Sequence, residues 1–422
     1  MQKTLTYLLS ITKLDRSVLL NIFAYGMIGL IFVGIQGVLN NLYLIELNLD
    51  LSFLGSLAAS GMLIWAAFSL PAGMIGARFG TRAAVIAGFV LVSVGLLLYL
   101  SVARLPRPLW ETGFYLTNAL TYIGAPLVAV NGTPYLMGVA PERERNAAFT
   151  LLGALMAFTA FFGSLMAGFL PGVLIRASNG GLDQAGAYNA VLWLGVPAYL
   201  VSALLMFKAR SVPPVIEQAQ GTVEKIRPPW DLLLFLGILF ALQFMSENFI
   251  FFFYNIYLDE GLSIPTNQIG TIFAVGRLMP FFISPLLPLV LNRWGAGRVM
   301  TAGYMLMAIF ILLMARIPTW QVAAAGFILI SLLSSFGGTA RNIYSQEIVK
   351  PRWRTTVTAL ISICLALSMG VAGMVGGRII PIIGFSGMFT IGAALALLAV
   401  LLYSTWQLMS SHRVTGKTQI KA

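Results

Sequence analysis

The sequence predicts an all-α membrane protein with twelve membrane-spanning helices in two pseudo-symmetric six-helix bundles. Three observations support this prediction: an apolar composition, hydrophobic runs of spanning length, and a sequence repeat half the chain long. Of the 422 residues, 59% are hydrophobic and only 9% are charged, and the mean hydropathy is +0.88. A soluble domain needs more charge to cover its surface, so the composition excludes an ordinary soluble protein.

Twelve hydrophobic runs are long enough to span a bilayer, which takes roughly 20 apolar residues in a helix. They lie at about 18–44, 53–76, 82–103, 110–136, 146–172, 188–208, 231–258, 266–291, 298–316, 319–343, 355–378 and 385–408. The predicted N-terminal bundle occupies 1–208 and the C-terminal bundle 231–408. A cytoplasmic linker, 209–230, and a cytoplasmic tail, 409–422, complete the chain.

Basic residues are distributed unevenly between the two sides of this topology. With the N-terminus in the cytoplasm, nineteen of the 26 Lys and Arg lie on the cytoplasmic side, five lie outside and two lie in predicted spans. This positive-inside bias predicts that both termini are cytoplasmic. It also accounts for the net charge of +12 without nucleic acid as a partner. The short loops favour the plasma membrane.

Residues that catalysis or metal binding would need are scarce. The single cysteine, Cys364, excludes an intrachain disulfide and a multi-cysteine metal site, and the single histidine, His412, lies in the tail. Phosphate-binding loops and hydrolase motifs such as HExxH and GxSxG in context are missing. We therefore expect no enzymatic activity, no metal and no cofactor.

The two halves of the chain share features at a fixed separation. The stretch from Asn41, NLYLIELNLDLSFLGSLAASG, matches the stretch from Asn255, NIYLDEGLSIPTNQIGTIFAVG, in the order of Asn, Tyr and Leu. A glycine then opens the next helix in each copy, at Gly55 and Gly270. Six plus six helices in the same orientation are expected from parallel repeats related by an axis along the membrane normal.

The connection after the second helix carries a more specific pattern. Residues 73–82 read GMIGARFGTR, and residues 292–298 read NRWGAGR. The small and basic positions are Gly73, Arg78, Gly80 and Arg82 in the first copy, and Arg293 and Gly295 in the second. With this pattern the chain resembles the major facilitator superfamily, over essentially its whole length, because that family has the signature GxxxDRxGRR in the same loop.

The resemblance implies a secondary transporter that moves a small molecule by alternating access, and it assigns these residues to a conformational latch on the cytoplasmic side. Ala77 stands where the signature has Asp, so this chain lacks the acidic residue of the family's latch. Arg78 and Arg82 remain free to cap helix ends or to pair elsewhere.

Helices 1, 4, 7 and 10 line a central cavity if the resemblance holds, and each carries a polar stripe at helical spacing. The candidate binding residues are Tyr25, Gln36, Asn40 and Tyr43 on helix 1, Asn118 and Tyr122 on helix 4, Gln243, Glu247 and Tyr254 on helix 7, and Arg341 and Asn342 on helix 10, where Ser331, Ser334 and Ser335 extend the stripe. Polar side chains face protein or water rather than lipid. Interhelical hydrogen bonds and a ligand cavity both remain open as interpretations.

Glu247 lies among Phe, Met and Ile in FMSENFIFFFYN, residues 244–255. It is about 16 residues into helix 7, near the bilayer midplane at roughly 1.5 Å per residue, and Arg277 on the antiparallel helix 8 reaches a similar depth. One interpretation is a structural Glu247–Arg277 ion pair. The other, which we favour, is that Glu247 exchanges a proton or pairs with cationic cargo, because intramembrane acids are functional sites by default.

Helix 5 is rich in glycine, reading GALMAFTAFFGSLMAGFLPG with Gly153, Gly163 and Gly168. Small residues in a spanning helix allow a neighbouring helix to approach closely. We therefore expect helix 5 to pack tightly against at least one other helix.

Together these features predict proton-coupled export of a small amphipathic compound by a monomer in the lipid bilayer. The sequence has no loop for ATP, so the energy would come from an ion gradient or from the cargo's own gradient. One alternative is uptake or facilitated transport of a polar or anionic metabolite held by Arg277 or Arg341. From another class, a non-transporting membrane receptor or a lipid-modifying protein remains open.

Overall fold

All regular secondary structure among the residues that the computed structural model describes is helical. These are residues 15–141, 144–179, 181–211, 229–283, 287–349 and 354–418. Ten helical stretches within them are long and apolar enough to cross a membrane. The prediction of an all-α, multi-pass membrane protein is therefore confirmed.

The first six helices coincide with the first six hydrophobic runs. They are α1 (Arg16–Glu46), α2 (Leu51–Phe79), α3 (Thr81–Ser101), α4 (Trp110–Val139), α5 (Arg145–Ala177) and α6 (Gln184–Lys208). Asp15, Asp50 and Asp183 start α1, α2 and α6, and each carboxylate accepts a hydrogen bond of 2.7–2.8 Å from a backbone N–H two or three residues on. Such caps satisfy donors that the first turn of a helix leaves unpaired.

The second half continues with α7 (Trp230–Gly261), α9 (Ala296–Arg316) and α10 (Trp320–Glu347). Between α7 and α9 the structure describes two helical stretches, Thr266–Ile283 and Leu287–Trp294, which we label together as α8. The last helical stretch, Arg354–Thr418, is broken at Gly384, where φ is 70°. It therefore forms two helices, α11 (354–383) and α12 (385–418).

Some predicted boundaries differ from the described helices. The tenth candidate span, Leu360–Leu408, contains the break at Gly384 and so covers two predicted runs. The eighth run crosses residues 284–286, which lie outside the described residues. Residues 212–228 of the predicted linker also lie outside them, and α12 continues to Thr418, well into the predicted tail.

The duplication is visible in the backbone as well as in the sequence. Gly80 and Gly295, 215 residues apart, precede α3 and α9 with φ of 92° and 79°. Asn48 and Ser263, also 215 residues apart, follow α1 and α7 with φ of 57° and 54°. Side chains disfavour positive φ, so glycine suits the first pair. The turns have thus kept their geometry even where the residue changed.

Contacts divide the chain into two compact units. The first comprises the described residues of Met1–Val223 together with Ser263–Phe281, and the second those of Glu224–Leu262 together with Phe282–Ala422. The start of α8 is grouped with the first unit, and the division into bundles at 1–208 and 231–408 stays a prediction.

Glycines and one hydrogen bond explain this placement of α8. A Cβ atom added at Gly270 would lie 2.5 Å from the Cα of Gly168 on α5, so the two backbones touch. The hydroxyls of Tyr188 on α6 and Thr266 on α8 are 2.7 Å apart. The glycine-rich α5 is therefore a close-packing helix, as its sequence predicts.

The strongest such approach within the first unit joins α5 to the π-helical part of α1, Gly29–Gln36. A Cβ atom added at Gly163 would lie 2.0 Å from the carbonyl oxygen of Leu30 and 3.0 Å from the Cα of Gly34. By contrast, a Cβ atom at Gly153, also on α5, would meet nothing within 4 Å. One helix therefore offers both a tight position and an open one.

Gly163→Ala should destabilise the protein by about 1–3 kcal/mol, because the added methyl group forces the backbones of α1 and α5 apart. The readout is the unfolding temperature of the purified protein in detergent. Gly153→Ala is the matched control and should leave that temperature unchanged or slightly raised, since alanine is the better helix former. Equal effects of the two substitutions would contradict the close approach of α1 and α5.

Candidate functional site

A cluster of polar side chains surrounds Glu247 inside the second unit. The hydroxyl of Tyr304 on α9 donates a hydrogen bond to Oε1 of Glu247, and the hydroxyl of Ser334 on α10 donates to Oε2 at 2.7 Å. A guanidinium nitrogen of Arg341 lies 3.5 Å from Oε1 and donates to the Tyr304 hydroxyl at 2.7 Å. Glu247 and Arg341 are both buried, with 8% and 6% of their surface exposed.

The chemistry of the donors fixes where the protons of this cluster lie. Arginine can only donate, so the Tyr304 hydroxyl must accept from Arg341 and give its one hydrogen to Glu247. Glu247 then accepts at both of its oxygens, and the guanidinium of Arg341 lies beside the carboxyl group as a countercharge. The cluster is thus a pair of opposite charge-bearing groups, Glu247 and Arg341, with Tyr304 hydrogen-bonded to both.

The spacing of residues on α7 and α10 brings the cluster together. Ser334 and Arg341 are seven residues apart, so both lie on one face of α10. Phe244 precedes Glu247 by about one turn of α7, and its ring lies under the guanidinium of Arg341 with 3.8 Å between the ring centroid and Cζ. A cation over an aromatic face gains further stabilisation away from water.

The ion pair that the structure gives Glu247 differs from the pair that depth alone suggested. Its partner is Arg341, two turns beyond Ser334 on α10, and not Arg277. Arg277 belongs to the first unit, where it is half-buried and its Nε has no hydrogen-bond partner among the described residues. Counting residues along two antiparallel helices gives only the depth of each side chain in the membrane. An ion pair also requires that the two side chains lie on helix faces that are directed at each other.

Sequence reasoning missed Tyr304 altogether. It lies in GYMLMAIF on α9, a helix that the family resemblance does not place on the cavity. The signal that could have identified Tyr304 is a single tyrosine hydroxyl on a buried helix face, because a buried tyrosine usually finds a hydrogen-bond partner.

Gln243 adds an unsatisfied polar group to the same face of α7, about one turn before Glu247. Its side chain is only 2% exposed, and its Oε1 has no hydrogen-bond partner among the described residues. The Nε of Arg341 is unpaired in the same sense. Buried polar atoms without protein partners are places for water or ligand atoms.

The first unit contains a separate cavity of about 230 Å³. Three predicted site residues line it, Tyr25, Gln36 and Tyr122. The rest of the wall is mainly apolar and aromatic, with Ile28, Phe32, Trp65, Phe89, Val92, Thr121, Ala125, Val128, Ala129, Met156 and Tyr199. This combination suits a small molecule with a large apolar part and few polar groups.

The aromatic walls of this cavity are held in place by their neighbours. The hydroxyl of Tyr25 donates to a backbone carbonyl of α4 at 2.7 Å, and its ring packs edge-on against Phe89. The ring of Tyr122 packs edge-on against Trp65 and closes onto Gly61, where a Cβ atom would lie 2.7 Å away. The cavity is therefore largely preformed.

Several other predicted site residues serve helix packing. Asn118 donates to a backbone carbonyl of α2 at 3.0 Å, and Tyr254 donates to one of α10 at 2.8 Å and stacks on Phe327. The fully buried Tyr43 accepts a hydrogen bond from Asn189 at 2.7 Å. These three residues follow the interhelical interpretation. Of the remaining two, Asn40 is half-buried and Asn342 is exposed.

The residues assigned to the cytoplasmic latch differ from one another in their contacts and exposure. Arg82 donates from Nε to the carbonyl of Met206 at 3.0 Å and from its terminal nitrogen to that of Phe207, so it caps the end of α6. Arg78 is exposed and lies over the ring of Phe79. Arg293 is exposed, and a Cβ atom at Gly73 would make only an ordinary contact at 3.6 Å. The helix-capping role considered for Arg82 is present.

The comparisons with known proteins agree with this architecture. The family model described as Major Facilitator Superfamily matches residues 17–237 and again 236–421, one match in each half. No curated protein sequence matches the chain.

Three solved structures show how widely this fold is shared. A mutant of the nucleoside transporter NupG has a TM-score of 0.72 at 13% identity, over 93% of this chain and 99% of that chain. A D-xylose-proton symporter has a TM-score of 0.69 at 17% identity, over 94% of this chain and 97% of that chain. An autoinhibited POT family peptide transporter has a TM-score of 0.71 at 14% identity, over 93% of this chain and 97% of that chain. Three different cargoes at similar scores mean that the fold does not identify the cargo.

The family match covers nearly the whole chain and falls on both halves of the repeat. The chain therefore belongs to the major facilitator superfamily, a family of multi-pass membrane transporters of small molecules rather than of enzymes.

Proposed function

We propose that this chain is a proton-coupled secondary transporter that exports a small amphipathic compound by alternating access. The observation that carries the proposal is the buried Glu247 carboxylate, held by hydroxyls from two other helices and by Arg341. In this proposal the protein works as a monomer in the plasma membrane, with both termini in the cytoplasm. That orientation follows from the distribution of Lys and Arg.

Binding of a proton at Glu247 would rearrange the cluster. A protonated carboxyl group has one donor of its own, so the Ser334 hydroxyl would have to turn from donating to accepting. The charge of Arg341 would lose its counter-charge and keep only Tyr304 and the face of Phe244. An uncompensated buried charge is costly, which would drive α10 to move relative to α7. Proton exchange and helix movement are coupled by this route.

The cavity in the first unit supports an amphipathic cargo. Its aromatic walls favour a ring system, and Gln36 offers an amide that can accept a hydrogen bond from a cationic tail. Compounds of this kind cross lipid bilayers without help, so a cell needs a transporter mainly to remove them. This argument supports export over uptake.

The runner-up is transport of an organic anion held by Arg277. Its half-buried guanidinium has an Nε without a hydrogen-bond partner among the described residues, and a carboxylate would satisfy it. Arg341 is a weaker anion site than the sequence suggested, because Glu247 already neutralises it.

Glu247→Gln should abolish transport driven by a pH gradient, because the amide keeps the shape of the side chain but cannot exchange a proton. The assay uses proteoliposomes and 3-(2-guanidinoethyl)indole, an aromatic cation that keeps N–H donors for Gln36 and stays charged at the assay pH, so it does not cross the bilayer as a free base. Exchange of labelled for unlabelled cation at equal pH should persist, since it needs no net proton movement.

Glu111→Gln is the matched control, because Glu111 is an exposed carboxylate at the start of α4. It should transport as the wild type does. Full pH-driven accumulation by Glu247→Gln would refute the assignment of Glu247 as the proton site.

Gln36→Leu should weaken the binding of tryptamine about 10- to 100-fold. A lost hydrogen bond to a charged group costs about 1.5–3 kcal/mol, and each 1.4 kcal/mol is a factor of ten in Kd. Binding of labelled tryptamine to the purified protein provides the measurement. Gln321→Leu, at an exposed glutamine of α10 outside the cavity wall, is the control and should bind normally.

Indole-3-acetate, which has the same ring with an anionic tail, separates the two cargo classes. The amphipathic-cation proposal expects it to bind more weakly than tryptamine. Tighter binding of indole-3-acetate that is lost in Arg277→Gln would instead establish the anion alternative.

A further inference from the structure

A second cavity, of about 450 Å³, opens at the end of the first unit where α1 ends and α6 begins. Its wall combines charged, polar, aromatic and apolar residues, among them Tyr43, Leu100, Arg104, Asp183, Asn189 and Trp193. It shares no lining residue with the aromatic cavity, so it is a separate site.

We propose that this cavity binds the zwitterionic headgroup of a phosphatidylethanolamine lipid, with the phosphate at Arg104 and the ammonium at Asp183.

Arg104 supplies an available cationic group. It follows α3 in a short 3₁₀ turn, and its guanidinium lies 5.8 Å from the ring centroid of Trp193. It is exposed and makes no hydrogen bond or ion pair among the described residues. A guanidinium presents five donors in a planar fork that matches a phosphate group. Tyr43 adds a hydroxyl that accepts from Asn189 and still has its own hydrogen to donate.

Asp183 makes the cavity suited to a zwitterion rather than to a simple anion. One of its carboxylate oxygens caps α6 by accepting from the backbone of Gly186 at 2.8 Å. The other oxygen can accept from an ammonium group. A carboxylate in the wall repels a ligand that is only negative, and it attracts one that also carries a donor cation. Ethanolamine has three such N–H donors, whereas a choline group has none.

The surroundings of the cavity favour a lipid over a free solute. The cavity lies at helix ends, and tryptophan is enriched at this depth of a membrane. Leu97 lies three residues before the wall residue Leu100 on α3, and Leu194 lies four residues after the wall residue Ala190 on α6, so each continues a face of the wall. They are 37% and 39% exposed. Acyl chains could follow these leucines while the headgroup occupies the cavity.

The test is the unfolding temperature of the purified full chain in detergent, with phosphatidylethanolamine, phosphatidylcholine or phosphatidylglycerol added. A ligand that binds the native state raises this temperature by mass action. The wild type should be stabilised most by phosphatidylethanolamine. Arg104→Gln should lose that preference, and Arg104→Lys, which keeps the charge, should retain much of it.

Asp183→Asn provides a sharper second variant, because asparagine is also a good helix cap and removes only the charge. Its preference should change from phosphatidylethanolamine to the anionic phosphatidylglycerol. Arg176→Gln and Glu111→Gln remove exposed charges outside this wall and should behave as the wild type does.

Equal stabilisation by the three lipids, or a preference that all variants share, would overturn the proposal. Free O-phosphoethanolamine should have little effect, since it lacks acyl chains. If it stabilised the wild type as well as the lipid does, the assignment to a lipid would be wrong. None of these outcomes depends on which cargo the protein carries.

Discussion

The burial of one carboxylate in an apolar helix sets the main constraint on the second unit. Glu247 could not remain ionised among Phe and Ile side chains without partners, because a charge moved out of water is costly. Two neighbouring helices meet this cost together, since α9 provides Tyr304 and α10 provides Ser334 and Arg341. Removing one member of such a buried pair typically costs about 3–5 kcal/mol.

In our proposal, the same arrangement that stabilises Glu247 also couples its protonation to the neighbouring helices. Each oxygen of the carboxylate accepts from a hydroxyl, and the Tyr304 hydroxyl is held in one orientation by Arg341. Neutralising Glu247 would therefore disturb contacts to two helices at once. Neutralising one member of an ion pair on the surface of a single helix would disturb fewer contacts between helices. This is why we place proton coupling at this cluster and cargo binding in the aromatic cavity.

Most of the helical architecture could be predicted from the sequence, because membrane spans follow from the length of apolar runs alone. The repeat pairs Gly80 with Gly295 in the sequence, and both glycines have positive φ in the structure. The partner of Glu247 could not be predicted in this way. Depth along a helix comes from counting residues, but the direction of a side chain depends on helix rotation and packing, which the sequence does not specify.

The polar stripes also show that residue type and helical spacing do not determine the role of a polar side chain. Tyr25, Gln36 and Tyr122 line one cavity, whereas Asn118 and Tyr254 bond to backbone carbonyls of neighbouring helices. All five have helical spacing and residue types that suit either role. Only the neighbours decide between the two roles, as at Gly61, whose missing side chain makes room for the ring of Tyr122.

Infrared difference spectroscopy of the protein in lipid, recorded between acidic and neutral pH, tests the central claim most directly. A carboxyl group that gains a proton acquires a C=O stretching band that a carboxylate lacks. We expect one such band, in the apolar range, that is present in the wild type and missing in Glu247→Gln. Identical difference spectra for the two proteins would show that Glu247 does not exchange a proton and that its cluster is structural.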